Sequence, residues 1–169
     1  MNSGGAVATC KAWLLPVHGD VHVAVGEQVL VHVVSERVRA VTIPRSPRWC
    51  RSLFVWQGQI IPIFQFGSFL NPAADMQAQA TAGMLIAILA FSDAGGVTRY
   101  GGMRLTALPV KRGVSDDQAC DLPAEFPGWK RVAAACFDDA LYGPVPVLEL
   151  AGVFCAPPGT LLPDVATPE

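Results

Sequence analysis

Short apolar segments of strand length recur along the chain, separated by Gly, Pro and polar residues. The segments are rich in Val and Ile, which favours β-strands, and no helical stripe runs for more than two or three turns. The pattern therefore predicts an all-β fold with one or two short helices. The predicted strands are 11–17, 21–25, 29–34, 38–43, 53–56, 59–65, 84–91, 98–108, 131–137 and 143–150.

Turn and breaker residues refine this prediction. Gln57-Gly58 lies between two β-prone segments and predicts a hairpin. Pro16 restricts the first strand to a sheet edge, because proline has no amide to donate. The small and polar segment 71–83 is predicted to be a linker, and 110–125 a long loop.

Two sequence blocks occur twice in the same order. Residues 47–51 (PRWCR) resemble 127–131 (PGWKR), and 62–70 (PIFQFGSFL) resembles 146–154 (PVLELAGVF). We interpret the repeat as two small β-barrels built on one plan, with Trp49 at a position equivalent to that of Trp129. The alternative is chance similarity between hydrophobic strands.

Composition and charge exclude several classes of protein. Apolar residues make up 51% of the chain and charged residues 15%, which excludes intrinsic disorder. A net charge of −2 provides no basic stripe for nucleic acid. No apolar run approaches the roughly 20 residues that span a bilayer, and no basic secretory leader precedes an apolar stretch. We expect a cytoplasmic protein without direct membrane insertion.

Side chains with reactive chemistry are scattered rather than clustered. The five cysteines (Cys10, Cys50, Cys120, Cys136 and Cys155) show no CxxC spacing, so we expect reduced thiols. The three histidines (His18, His22 and His32) are expected on strands or turns facing solvent. The members of each Asp-Asp pair are expected to face opposite sides of a strand or to be solvated in a turn. The sequence thus predicts no metal site, no cofactor and no catalysis.

At this point the chain resembles the CheW-like domains, adaptor modules of bacterial chemosensory arrays. Ile43 lies four residues before Pro47, Trp49 follows, and Gly58 falls eleven residues after Pro47, as in that family. The segment 62–66 (PIFQF) then matches the strand after the family's hairpin. The resemblance extends from about residue 13 to 154.

The resemblance implies two intertwined five-stranded SH3-like barrels that share a core. It implies one domain over 10–156, with repeat blocks 43–70 and 123–154 and flexible termini at 1–9 and 157–169. It also implies a non-enzymatic adaptor that links a chemosensory histidine kinase's regulatory domain to a chemoreceptor's cytoplasmic tip or to another CheW-like protein. Such adaptors work at membrane-associated or polar arrays.

The chain departs from the family where recognition is expected. Gln57 replaces an Arg, Val55 an Asn and Gln65 an Asp, while Ser52 replaces a Gly and His32 falls near an acidic position. Losing the Arg and the Asp together leaves no unpaired charge, so the fold can persist while the binding surface changes. The alternative function is a pilus-motility or polar-localisation adaptor with non-standard partners.

The candidate residues follow from these observations. Candidate partner-binding residues are Ser52, Val55, Trp56, Gln57, Gly58, Arg45, Arg48 and His32. Candidate structural residues are Trp49, Trp129, Pro62, Pro146 and Gln65. Trp56 is either a core residue or an exposed anchor, and the arginines around Pro47 form either a solvated loop or a docking surface for an acidic partner. A small-ligand-binding barrel would need convergent polar groups, which the sequence does not show.

Overall fold

The computed structural model describes residues 7–71 and 85–155. Strands dominate, and the helices are one or two turns long. The elements, in chain order, are β1 (Thr9–His18), β2 (Val21–Gly26), β3 (Leu30–Val34), β4 (Val41–Thr42), a 3-10 helix (Arg48–Cys50), β5 (Ser52–Trp56), β6 (Gln59–Phe64), α1 (Phe66–Leu70), β7 (Leu85–Ser92), β8 (Thr98–Leu105), β9 (Val110–Ser115), a 3-10 helix (Asp116–Gln118), α2 (Trp129–Val132), β10 (Ala133–Asp139), β11 (Gly143–Leu148) and α3 (Leu150–Phe154).

The strands form two sheets. Sheet 1 has the order β10-β11-β2-β1-β9, and sheet 2 has the order β3-β7-β8-β6-β5-β4. All pairs are antiparallel except β11 with β2 and β6 with β8, which are parallel. The two sheets are the two barrel subdomains, so the predicted all-β, two-barrel fold is confirmed.

Each sheet combines strands from both halves of the chain. Sheet 1 joins the β1–β2 hairpin of the first half to β9, β10 and β11 of the second. Sheet 2 joins the β7–β8 hairpin of the second half to β3, β4, β5 and β6 of the first. The halves are therefore intertwined.

The two sequence blocks are structural equivalents. In the first half the Gln65 amide donates to the Trp49 carbonyl at 2.7 Å, and α1 follows. In the second half the Glu149 amide donates to the Val132 carbonyl at 2.8 Å, and α3 follows. Trp49 and Trp129 each lie in a short helical turn just before a hairpin, and both are buried in one cluster. Each half therefore has the same order of elements, namely a helical turn with a buried Trp, a hairpin and a short helix.

Three apolar clusters fill the molecule, one inside each barrel and a larger one shared between them. In β7, Ile86 and Ile88 pack with Phe54 inside one barrel, while Ala87 and Leu89 join the shared core. Both faces of this strand are buried, and successive side chains point to opposite faces. The uninterrupted apolar sequence of β7 follows from this double burial.

The prediction that Pro16 confines the first strand to a sheet edge is wrong. Strand β1 pairs with β2 on one side and β9 on the other. Its pairing with β9 ends at Leu14 and Val110, before the proline is reached. The Pro16 carbonyl instead accepts the Thr106 amide at 2.9 Å. A central strand thus accommodates a proline beyond the end of its neighbour.

The predicted loop over 110–125 is also wrong in its first part, because β9 occupies Val110–Ser115. The strand lies at a sheet edge, where its polar side chains face solvent. Lys111 lies over the Trp13 ring at 5.1 Å and pairs with Glu27 at 2.5 Å.

Some predictions fall on parts of the chain that the structure does not describe. The predicted linker 71–83 lies outside the described residues except for Asn71. The predicted flexible C-terminus at 157–169 lies wholly outside them, as do residues 1–6 of the N-terminal segment. Strand β1 begins at Thr9, the last residue of that segment.

Candidate protein-binding surface

The β5–β6 hairpin carries most of the candidate residues. Its turn, Gln57-Gly58, has positive φ at both positions (48° and 77°), the geometry of a two-residue turn that matches the twist of paired strands. Gln57 and Gly58 are both exposed at the tip. Gly58 meets the requirement for positive φ without strain, whereas Gln57 does so at a conformational cost.

One side of this hairpin is apolar and open to solvent. Val55 and Ile60 lie directly opposite each other, with 66% and 69% of their surface exposed. Val41, which is 61% exposed, lies opposite the half-buried Leu53 on the neighbouring strand pair. We call Val41, Leu53, Val55 and Ile60 the hairpin face. Exposed apolar side chains grouped on adjacent strands commonly mark a contact surface.

The opposite side of the hairpin fills a barrel. Phe54, Ile61 and Ile63 alternate with the hairpin face and are at most 3% exposed. Ser52 points to the same side as Phe54 and is half-buried, so it does not join the exposed surface. The structure therefore separates Ser52 from Val55, although the sequence grouped them.

Arginines surround the hairpin face. Residues 34–51 hold five of the chain's twelve basic residues and one acidic residue, Glu36. The five are all exposed and are Arg37, Arg39, Arg45, Arg48 and Arg51. Within the described ranges, Arg37, Arg39, Arg45 and Arg51 take part in none of the ion pairs shorter than 4.0 Å. This concentration of positive charge favours an acidic partner surface.

Trp56 occupies the open end of the barrel. Its ring packs with the barrel's apolar cluster, lies 5.9 Å from the Tyr100 ring and stacks on the His32 ring at 6.3 Å. Part of the indole is exposed and borders a groove of about 420 Å³ that Arg37 and Arg39 also line. Trp56 therefore packs against the barrel cluster and leaves one edge of its ring exposed to solvent. His32 stacks on the same ring.

Trp56→Ala is expected to lower the free energy of unfolding by about 1–2 kcal/mol, because a half-buried ring is removed. Urea unfolding measures this loss directly. The companion substitution His32→Ala removes the outer ring of the stack and should cost less than half as much. A loss above about 3 kcal/mol for Trp56→Ala would show a wholly structural ring.

The candidate structural residues lie in the two hairpins and in the segments next to them. Pro62 and Pro146 lie in β6 and β11, the second strands of the two equivalent hairpins. Gln65 is 8% exposed, and its Oε1 is a buried acceptor without a hydrogen-bond partner in the described structure. A neutral amide in this position costs less than an unpaired carboxylate would. Gln57 lies at the far end of the hairpin, so the two glutamines do not pair.

The equivalent hairpin of the second half differs in chemistry. Asp138 and Pro144 are paired there, and Leu141, which is 70% exposed, lies in the turn. Asp139 is buried and accepts the amides of Leu141 and Tyr142 at 2.9 and 3.1 Å. Asp138 is exposed, so the two neighbours face opposite sides of β10, as the strand alternative predicts. This hairpin offers no apolar strand pair like that of the hairpin face.

A second groove, of about 450 Å³, lies near the β1–β2 turn. His22 stacks on Tyr142 there at a ring separation of 3.9 Å, and Trp129 and Phe126 form part of the wall. His18 also borders it and packs against Gly67 of α1, where a Cβ would lie 2.8 Å from the imidazole Nδ1. His18 and His22 are thus half-buried packing residues rather than solvent-facing ones.

Sequence reasoning missed Ile60 and Val41, the two residues that complete the hairpin face. A signal was present: Ile60 and Ile61 are adjacent on a strand, and adjacent strand residues face opposite sides. Since Ile61 belongs inside the barrel, Ile60 has to face outward.

Residues 7–71 and 85–155 contain neither a metal-binding cluster nor a membrane-spanning helix. No group of three or more His, Cys, Asp or Glu side chains there is arranged to hold a metal ion. No helix among these residues is long and apolar enough to cross a membrane.

Comparison with known proteins identifies the fold. The structure is similar to that of the scaffolding protein TtCheW from Thermoanaerobacter tengcongensis, with a TM-score of 0.64 and 11% sequence identity. The similarity covers 84% of this chain and 90% of that one. No family model and no curated protein sequence matches the chain. The molecule therefore has a two-barrel fold of the CheW-like kind.

Proposed function

We propose that this chain is a non-enzymatic adaptor of a bacterial chemosensory complex. The single observation that supports this most strongly is the exposed hairpin face, carried on a CheW-like fold. We propose as its partner a domain of related fold, either the regulatory domain of a histidine kinase or another CheW-like protein. A chemoreceptor's cytoplasmic tip is a further candidate, and assembly would take place at cytoplasmic arrays.

The energetics of the hairpin face support a binding role. Folding buries only a small part of the apolar surface of Val41, Val55 and Ile60, so it stabilises these side chains little. Covering a Val or Ile side chain fully with an apolar partner contributes about 1.5–3 kcal/mol. A matching apolar strand pair on the partner would supply that cover, and the three residues together provide a compact anchor.

The arginines around the hairpin face would add electrostatic steering and specificity to this contact. Arg45 and Arg51 flank the 3-10 helix that leads into the hairpin. Like-charged groups around an apolar centre steer an oppositely charged partner and suppress wrong ones, with a modest effect on affinity. The proposed partner therefore carries acidic residues around an apolar patch. Its binding should weaken as salt concentration rises, because exposed charges are screened.

The test is a binding panel with charge-introducing variants. Kinase regulatory domains, receptor tips and other CheW-like proteins from the same organism are titrated against the chain. Val55→Glu and Ile60→Glu are each expected to weaken the productive interaction at least tenfold, because a carboxylate would be buried against an apolar surface. Both sites are largely exposed, so melting temperatures should change little.

Leu141→Glu is the matched control. Leu141 is as exposed as Ile60 but belongs to the other hairpin, so its substitution should leave this interaction intact. Equal weakening by all three variants would contradict the assignment to the hairpin face. Failure to bind any member of the panel would exclude the chemosensory role, and binding to pilus or polar-localisation proteins would assign the adaptor to that pathway.

A further inference from the structure

Two of the five cysteines are in contact. Cys120 and Cys136 are sixteen residues apart in sequence, yet their Sγ atoms are 3.4 Å apart. The Cys120 amide also donates to the Cys136 carbonyl at 3.0 Å, beside an isolated bridge between Ala119 and Phe137. A backbone hydrogen bond and a contact between the sulfurs therefore both join Cys120 to Cys136.

The other cysteines offer an internal comparison. Cys10 and Cys155 are exposed, and Cys50 is half-buried. The nearest polar contact of the Cys10 sulfur is the Val114 carbonyl at 3.6 Å. Among the residues the structure describes, no second pair of sulfurs is in contact. Proximity therefore singles out one pair of thiols in the described chain.

We propose that Cys120 and Cys136 form a reversible disulfide by exchange with a low-molecular-weight disulfide such as oxidised glutathione. The Cys120 thiolate attacks one sulfur of the small disulfide, whose S–S bond breaks and releases one thiolate. Cys136 then loses its proton and attacks the Cys120 sulfur, releasing the second small thiol. Two protein thiols are oxidised, and one small disulfide is reduced to two thiols.

The order of these steps follows from burial. Cys120 is partly exposed, so a small disulfide can reach it, whereas Cys136 is buried. Burial raises the pKa of the Cys136 thiol to about 12, and the hydrogen bond and the charge of Cys120 add to the rise. Once Cys120 is held in a mixed disulfide, its charge is gone. Cys136 can then give up its proton more easily and complete the exchange.

The local structure tolerates the change. A disulfide brings its sulfurs to about 2.05 Å, so they must approach by roughly 1.4 Å. Cys136 is held in β10, whereas Cys120 lies outside the regular strands, next to the isolated bridge at Ala119. Strand β10 is at the edge of sheet 1, and residues 119–120 cover part of that edge. The disulfide would join residues 119–120 covalently to β10.

The disulfide would also restrain the wall of the second groove, which lies beside the β1–β2 turn. The segment that follows Cys120 contributes Pro123 and Phe126 to the wall of the groove beside the β1–β2 turn. In the reduced protein this segment is held by the Cys120–Cys136 backbone hydrogen bond and by packing of Leu122 and Phe126 on the shared core. In the oxidised protein it would be held covalently, so the redox state would set the rigidity of that wall.

The experiment equilibrates the unmodified full chain in glutathione buffers of increasing oxidising ratio. Free thiols are then alkylated, and the protein is analysed by mass spectrometry of intact chain and peptides. We expect a species that has lost two hydrogens, with a peptide linking Cys120 to Cys136 and three alkylated cysteines. The melting temperature of this species should rise by roughly 5 °C, since the bond closes a loop of about fifteen residues.

Two variants make the result decisive. Replacing Cys10, Cys50 and Cys155 together by Ser should leave the link intact, whereas Cys120→Ser should abolish it. The proposal is overturned if the unmodified chain keeps five alkylatable thiols in the most oxidising buffer. It is equally overturned if Cys120 stops at a mixed disulfide with glutathione or if the link joins other cysteines. None of these outcomes depends on the adaptor role.

Discussion

Trp129→Ala is expected to lower the free energy of unfolding by about 3–5 kcal/mol, the usual cost of deleting a large core ring. The ring is 4% exposed. It stacks on Phe66 at a centroid distance of 5.7 Å and meets Phe126 edge-on at 5.8 Å. Because these partners come from different segments, local collapse cannot refill the cavity. Urea unfolding, with the slope checked for two-state behaviour, measures the loss.

The repeat supplies a comparison for this result. Trp49 meets Phe69 edge-on at 5.8 Å in the same shared core, so Trp49→Ala should cost nearly as much. Trp13 is half-buried and lies under Lys111, and Trp13→Ala should cost about 1–2 kcal/mol. If Trp129→Ala costs no more than Trp13→Ala, the shared core does not hold the two halves together.

Gly101→Ala is expected to destabilise the fold by about 3 kcal/mol through overpacking. A Cβ at this position would lie 2.4 Å from Cζ of Phe154 and within 2.6 Å of two neighbouring ring carbons. The ring cannot move away freely, because it stacks on Phe91 at 5.4 Å and meets Phe64 edge-on. Thermal and urea unfolding of the variant measure the effect.

A double-mutant cycle separates this clash from other effects of the substitution. In a Phe154→Ala background the obstructing ring is absent, so adding Gly101→Ala should cost less than about 1 kcal/mol. Gly113→Ala is the matched control, since it lies in an exposed strand position with Thr9 Cγ2 at 3.3 Å as its nearest neighbour. An equal cost in both backgrounds would show that Phe154 is not the cause.

The elements with strong local signals were predictable from sequence. Gln57-Gly58 predicted a hairpin because the turn chemistry and the flanking strands agree. The continuous apolar segment of β7 predicted a strand because its length and its flanking glycines favour a strand over a helix. The repeat predicted equivalent sites for Trp49 and Trp129, since two matched blocks in one order require a common local plan. These features depend on neighbours in the sequence.

Features that depend on distant partners were not predictable. Strand β9 is polar, and only its pairing with β1 makes it a strand. Pro16 lies in a central strand because β9 ends before reaching it. Cys120 and Cys136 meet because a loop returns to the edge of β10, which spacing alone does not indicate.

The candidate surface was predicted in part. Val55, Trp56 and Gln57 were correctly placed on one hairpin, but the alternation of strand faces divides them. Val55 belongs to the hairpin face, while Trp56 caps the barrel interior with His32. Ile60 completes the face from the opposite strand. Cross-strand register decides such groupings, and register is a property of the pair of strands rather than of either sequence.

Each half of the chain contributes strands to both sheets, and this exchange bears on how the fold could have evolved from a single repeat. A lone ancestral repeat with this topology could not complete a barrel, so it would have needed a second copy and formed a domain-swapped homodimer. Joining the two genes would keep every strand in place while freeing the copies to diverge. The two hairpins now differ, since β5 and β6 carry the exposed pair Val55 and Ile60 where β10 and β11 carry Asp138 and Pro144. A symmetric pair offers the same patch twice, whereas the single chain presents two unlike hairpins.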